Sequence, residues 1–236
     1  MFGVLFTMPQ FFQAIDGADA QIAGLRLLPL IAGLVFGAGL ADRLASRTGA
    51  KLTVALGFLL LAAGLGLGAT TTANSGSGFA ATWMALCGAG MGLALATAAS
   101  GALVELSAER SGVGSAVLQA VNKLGGPFGA AILGSVLNST YRGRLATTDL
   151  PASAAGALQQ SVFAGVAAAR QLGSATLLDA VRRAFVAGMD ASLVVAAGFA
   201  LAGLILALAF LPPRNGVAGA TAAEPVESQH EVVTAG

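Results

Sequence analysis

The chain has 236 residues, of which 56% are hydrophobic and only 10% are charged, and its mean hydropathy is +0.81. A soluble core large enough to hide its apolar runs would need far more polar surface than this composition provides. The net charge of +1 comes from scattered basic residues, which argues against a nucleic-acid partner. The composition therefore predicts an all-α, polytopic transmembrane helix bundle.

The residues that commonly carry redox or metal chemistry are almost absent. Cys87, the only cysteine, falls within an apolar run, and His230, the only histidine, lies in a polar tail. No predicted span contains a Ser-His, Asp-Asp or His-Glu constellation with catalytic spacing. We therefore expect no metal, no cofactor and no enzyme activity.

Long apolar runs predict five full membrane spans and one partial span, because about 20 apolar residues cross a bilayer as a helix. Residues 1–15 are uncharged but too short, and they resemble the second part of a helix, so we interpret the chain as a fragment or a product begun at an internal methionine. Together the spans form a transmembrane bundle over residues 1–213. The full spans are predicted over residues 22–41, 51–71, 79–104, 113–138 and 184–211.

A short charged segment separates the first two full spans. The segment Gly39–Lys51 is too polar for hydrocarbon and too short for a domain, so we predict a tight basic turn there. Basic residues elsewhere fall on both predicted sides, so the positive-inside rule gives no orientation. The charged residues of the turn are Asp42, Arg43, Arg47 and Lys51.

Several glycines within the spans have the small-xxx-small spacing that lets helix backbones approach closely. We predict helix packing at these positions, with a ligand site as the less favoured reading. The three pairs are Gly33 and Gly37, Gly88 and Gly92, and Gly125 and Gly129.

The chain leaves the membrane between the last two full spans. Residues 139–183 are predicted as a connection with an amphipathic helix, on which Leu158, Val162 and Val166 recur on one face. Gly173 would end this helix and Ser174 would cap the next one. The final residues, 214–236, are polar and predicted to be disordered.

Lys123 is the most suggestive polar residue within a span. A charge at that depth is costly, so it should face a cavity or protein, and Gln119 and Asn122 lie within a turn of it. One interpretation is a substrate pathway; the other is a lysine that reaches the interface or pairs two helices. Asp190 lies near the N-terminal end of its predicted span and is either a proton-coupling site or an interfacial or salt-bridged carboxylate.

Amide and aromatic side chains occur together near the N-terminus. Gln10 and Gln13 share a helix face, and with Phe11 and Phe12 they could line a cavity for amphiphilic molecules. The alternative is an interfacial helix end at which such side chains meet lipid headgroups.

The order of four segments resembles the fourteen-span drug:proton antiporters of the major facilitator superfamily. The similarity runs from about Pro9 to Pro213. The segments are Pro9-Gln-Phe-Phe-Gln13 followed by Gly17 and Ala23-Gly-Leu-Arg-Leu-Leu-Pro29; the charged turn, including Gly49; Gly125-Gly-Pro-Phe-Gly-Ala-Ala-Ile-Leu-Gly134; and Ala184-Phe-Val-Ala-Gly-Met-Asp190.

The resemblance implies spans nine to fourteen of such a transporter in a bacterial plasma membrane. It places the charged turn and the 214–236 tail in the cytoplasm and residues 139–183 outside. It implies that the Asp and Arg residues of the turn contact neighbouring helix ends and favour one access state of the transporter. It also implies proton-coupled efflux of hydrophobic or cationic small molecules, with a missing N-terminal half as partner. The alternative is a non-transporting membrane scaffold, or a half-module that needs a partner chain.

Overall fold

The computed structural model describes residues 2–72, 75–104, 111–146 and 160–211, together with residues 156 and 158. In this part of the chain the regular structure is helical and contains no strand, which confirms the predicted all-α bundle. The elements are α1 Phe2–Gln10, a π-helical turn Phe11–Ile15, α2 Ala20–Leu25, α3 Leu28–Thr48, α4 Ala50–Gly68, α5 Ser77–Val104, α6 Ser111–Ala146, α7 Val162–Gln171 and α8 Ala175–Phe210.

Four helices of the described part are long and apolar enough to cross a membrane: Ala20–Thr48, Ala50–Gly68, Ser77–Ser100 and Ala175–Phe210. The span predicted over residues 113–138 lies inside the continuous helix α6, whose first half carries Gln119, Asn122 and Lys123. Its position in the membrane stays a prediction. The predicted tail, 214–236, lies outside the described residues.

Helices α3 and α5 pack backbone to backbone along a seam of glycines. A Cβ added to Gly33 would collide with the Ala85 carbonyl oxygen, and one added to Gly88 would collide with that of Leu30. Gly37 and Gly92 meet the opposite helix in the same way, at Ala89 and at Leu34. Only a residue without a side chain permits this approach, which increases the van der Waals contact between the helices.

Helix α4 packs against the other side of α5 and also against α8, while α6 and α7 pack on α8. Gly57 of α4 and Gly90 of α5 face each other, since a Cβ on Gly57 would lie 2.7 Å from the Gly90 carbonyl oxygen. Between the helices lies one hydrophobic core, in which Trp83, Phe185 and Met189 are almost completely buried.

The charged segment Gly39–Lys51 is helical on both sides of Gly49, and the predicted tight turn is confined to that residue. Helix α3 continues to Thr48 and α4 begins at Ala50, so α3 extends seven residues beyond the end of the span predicted over residues 22–41, whose position in the membrane stays a prediction. Nothing between Asp42 and Thr48 interrupts a helix, and the chain reverses at Gly49 alone. This residue has φ 90°, a conformation open to glycine and strained for other residues.

The N-terminal segment is fixed to the start of the first long span. Asp16 and Arg26 form an ion pair with 2.7 Å between Oδ2 and Nη1, and the Arg26 guanidinium lies 5.2 Å from the centre of the Phe12 ring. Asp19 caps α2 by accepting a hydrogen bond from the Ile22 amide. Asp16 and Asp19 therefore have structural roles, although both residues are exposed.

The connection between α6 and α8 folds back onto the bundle. The Tyr141 hydroxyl donates to the Leu158 carbonyl at 2.9 Å, and burial raises the pKa of Tyr141 to about 12. Val162 and Val166 of α7 are buried, while Gly173 ends this segment with φ 62°. Ser174 then caps α8, which runs for 36 residues without a break.

Candidate functional site

The first half of α6 exposes polar and apolar side chains on several faces. Gln119 and Lys123 are exposed, and the neighbouring Val121, Leu124 and Phe128 are each at least 60% exposed. The ideal Cβ positions of Gly125 and Gly129 also have no described atom within 4 Å, so a packing role for this pair stays a prediction. This half of α6 is therefore available for contact with a cavity, lipid or further protein.

The position of Lys123 restricts these choices. It lies 12 residues after the start of α6, about 18 Å along the helix axis. In the span predicted over residues 113–138, an ammonium group facing hydrocarbon at this position would be unfavourable by about 2.5 kcal/mol or more. Water or a protein partner is consequently the favourable environment for the face shared by Gln119 and Lys123, which are four residues apart. The side chain of Asn122 lies outside the described residues.

The N-terminal aromatic residues do not line an open cavity in this conformation. Phe11 and Phe12 are each 1% exposed and pack edge to face, with 5.7 Å between ring centres. Their rings form part of the core, and a role of these residues in a substrate pathway stays a prediction. Gln10 and Gln13 are half-buried, and the Gln10 amide donates to the Phe6 carbonyl. No hydrogen bond between described residues joins this group to Lys123.

Asp190 lies at a cavity of about 420 Å³ between the end of α4 and the first half of α8. Its Oδ1 atom is buried and has no hydrogen-bond partner in the described part of the chain. The cavity walls are formed by Thr70, Thr71, Thr72, Arg183, Val186, Ala187 and Asp190.

The charged residues around the α3–α4 reversal lie on the surface. Gly39, Asp42, Arg43 and Arg47 are exposed on α3, Gly49 is buried at the reversal, and Lys51 is half-buried on α4. The charges thus lie at the end of α3 and the start of α4. The predicted role of these residues in favouring one conformational state stays a prediction.

Sequence reasoning missed two features that depend on tertiary structure. One is the seam between α4 and α5, although Gly64 and Gly68 have the same four-residue spacing as the recognised pairs. The other is the grouping of Thr71 and Arg183 with Asp190, for which the sequence has no signal because more than 100 residues separate the two segments.

Long apolar helices and backbone-close packing define an all-α helix bundle in which four helices of the described part are long and apolar enough to cross a membrane. No family model matches this sequence. It is similar to the tetracenomycin C resistance and export protein of Streptomyces glaucescens, with 29% identity over 87% of this chain and 40% of that protein. It is also similar to the multidrug efflux pump LfrA of Mycolicibacterium smegmatis, with 26% identity over 86% of this chain and 41% of the pump.

The multidrug resistance protein Stp of Mycobacterium tuberculosis is a further relative, 26% identical over 58% of this chain and 25% of Stp. The chain thus spans about two fifths or less of the length of these curated relatives. Their names describe export, efflux and drug resistance rather than catalysis. The resemblance to drug efflux proteins read from the sequence is confirmed by these similarities.

Proposed function

We propose that this chain forms part of a secondary active transporter that exports hydrophobic or cationic small molecules across a bacterial plasma membrane. The observation that carries the proposal is similarity to two export proteins over more than four fifths of the chain, within a fold that has several membrane-crossing helices. Proton coupling, with Asp190 as the coupling residue, is part of the proposal.

The exposed face of α6 supports a transport pathway in this bundle. Gln119 and Lys123 lie one turn apart in the first half of α6, which also exposes the apolar side chains of Val121, Leu124 and Phe128. A polar cavity bordered by further protein satisfies both kinds of surface, whereas lipid satisfies only the apolar one. The proposed partners are therefore the lipid bilayer, the exported molecule, protons and additional protein that completes the cavity.

The proposal is tested by removing the charge of Lys123. The substitution Lys123→Met is introduced at the native locus, so that any protein encoded with the chain is present, and extrusion of the hydrophobic cation ethidium from energised cells is measured by fluorescence. The matched control is Arg142→Met, which removes an exposed charge near the other end of the same helix. A protonophore in parallel samples reports whether extrusion depends on the proton gradient.

We expect at least a fivefold decrease in the initial extrusion rate for Lys123→Met, about the effect of 1 kcal/mol on a rate-limiting step. Arg142→Met should retain the wild-type rate, and the protonophore should abolish extrusion. Deletion of the locus without any change in ethidium extrusion or in resistance to a panel of hydrophobic cations would contradict the proposal. That outcome, combined with stable association of the chain with another membrane protein, would instead support the scaffold alternative.

A further inference from the structure

The cavity beside Asp190 contains buried polar atoms that the fold leaves without partners. Thr71 is 1% exposed, and its Oγ1 makes no hydrogen bond with any described residue. The neighbouring hydroxyls differ, since Thr70 donates to the Leu67 carbonyl and Thr72 lies 3.0 Å from the Ser75 hydroxyl. Asp190 Oδ1 is the second orphan atom at the same cavity. Buried polar groups are normally hydrogen-bonded, so a ligand or water must satisfy these two.

The cavity also carries two opposite charges that do not neutralise each other. Arg183 and Asp190 are seven residues apart on α8, which places them on one face about 10.5 Å apart along the helix axis. The structure gives no ion pair between them, and the intervening Val186 and Ala187 provide an apolar wall. The exposed Arg183 lies toward the start of α8, and Asp190 lies two turns further along the helix.

A molecule with both charges would complement this arrangement. An ammonium group donates hydrogen bonds to Asp190 Oδ1 and Thr71 Oγ1, the two atoms that lack partners. A carboxylate or phosphate group accepts from the Arg183 guanidinium, while its carbon atoms contact Val186 and Ala187. A simple cation would satisfy Asp190 but would be repelled by Arg183, and a simple anion would have the opposite problem.

We propose that the cavity between the end of α4 and α8 binds a zwitterion that carries an ammonium group and an anionic group. A free amino acid and the ethanolamine headgroup of a phospholipid both have this chemistry. The site is separate from the polar face of α6, although it shares Asp190 with the proposed proton coupling; binding is measured without transport, so the two proposals can fail independently.

The test measures binding to the full chain in phosphatidylcholine nanodiscs. Radiolabelled phenylalanine is the zwitterionic probe, phenethylamine lacks its carboxylate, and 3-phenylpropionate lacks its ammonium group. In a second arm, phosphatidylethanolamine is added to the nanodiscs, and lipid retained by the purified chain is identified by native mass spectrometry.

The variants separate the two ends of the cavity. Asp190→Asn and Arg183→Gln remove one charge each with little change of shape, and Thr71→Val removes the orphan hydroxyl. The matched control is Asp179→Asn, the same change at an exposed position of the same helix. Thermal unfolding of each variant identifies any that fail to fold, and Arg183→Gln at the exposed mouth keeps the test valid if Asp190→Asn does not fold.

We expect saturable binding of phenylalanine or retention of phosphatidylethanolamine, weakened about tenfold by Asp190→Asn and by Arg183→Gln and unchanged by Asp179→Asn. If phosphatidylethanolamine competes with phenylalanine, we identify the zwitterion at the site as the lipid headgroup. If phenylalanine binds without such competition, we identify it as a free solute. Binding of neither zwitterion would overturn the proposal and leave water as the occupant. Equal binding of phenethylamine and phenylalanine would also overturn it.

Discussion

Replacing Gly88 by alanine should separate helices α3 and α5. The added Cβ would lie 2.8 Å from the Leu34 amide nitrogen and 3.0 Å from the Leu30 carbonyl carbon, and closer still to the Leu30 carbonyl oxygen. Ordinary van der Waals contact begins at 3.4 Å, so at least the backbone around Leu34 must move by 0.6 Å. Since the obstructing atoms belong to a helix backbone, no side-chain rotation can relieve the contact.

We expect Gly88→Ala to lower the free energy of unfolding by about 2–3 kcal/mol, the upper part of the range for overpacked interiors. The matched control is Gly125→Ala on α6, where the added Cβ has no described atom within 4 Å. There the better helix propensity of alanine should leave stability unchanged or raise it by up to about 1 kcal/mol.

Denaturation in detergent can be followed by the fluorescence of Trp83, the only tryptophan, which is fully buried on α5. The rate of maleimide labelling at Cys87, the only cysteine, reports whether the neighbouring contact between α4 and α5 also opens, because this thiol is buried beside Gly64 of α4. Equal stabilities for the two variants would refute the close approach of α3 and α5.

Two further substitutions test local contacts, and both are measured by unfolding in detergent. Tyr141→Phe should cost about 1–3 kcal/mol, because it leaves the Leu158 carbonyl without its buried donor. The pKa of Tyr141 is raised from 10.0 to about 12. The free energy of unfolding of the wild type should therefore fall as the pH rises from 10 to 12, whereas the variant should lack this decrease. Parallel pH profiles of the two free energies would contradict this. Gly49→Ala should cost about 1–3 kcal/mol, because Gly49 has φ 90°. Gly39→Ala, in an open helical position of α3, should be neutral, and equal effects at the two positions would contradict the strained reversal.

The sequence predicted the helical architecture well because apolar length is a direct requirement of the bilayer. It also indicated which glycines approach a neighbouring backbone in α3 and α5. The same spacing at Gly125 and Gly129 has open space around it in the described part of the chain. The spacing of the glycines alone shows that one helix face has no bulky side chains. Which helix packs against that face depends on the rest of the fold.

Local sequence could not predict the length of the charged turn or the surroundings of the aromatic pair. The residues from Asp42 to Thr48 are compatible with either helix or loop, and the helix ends only where Gly49 reverses the chain. Phe11 and Phe12 have a composition suited to a binding cavity, yet both rings are buried in the hydrophobic core. Burial of this kind depends on distant segments and leaves no pattern near the residues themselves.

The transport proposal depends most directly on the surroundings of Lys123. In a Cys87→Ser background, single cysteines are placed at Gln119, Lys123 and Phe128, and labelling by a membrane-impermeant thiol reagent is measured in intact membranes. Phe128 lies about 140° around the helix from Lys123 and is 66% exposed, so it serves as the apolar control. We expect rapid labelling at 119 and 123 and slow labelling at 128. Slow labelling at all three positions, or labelling at 128 alone, would contradict an aqueous pathway along this face of α6.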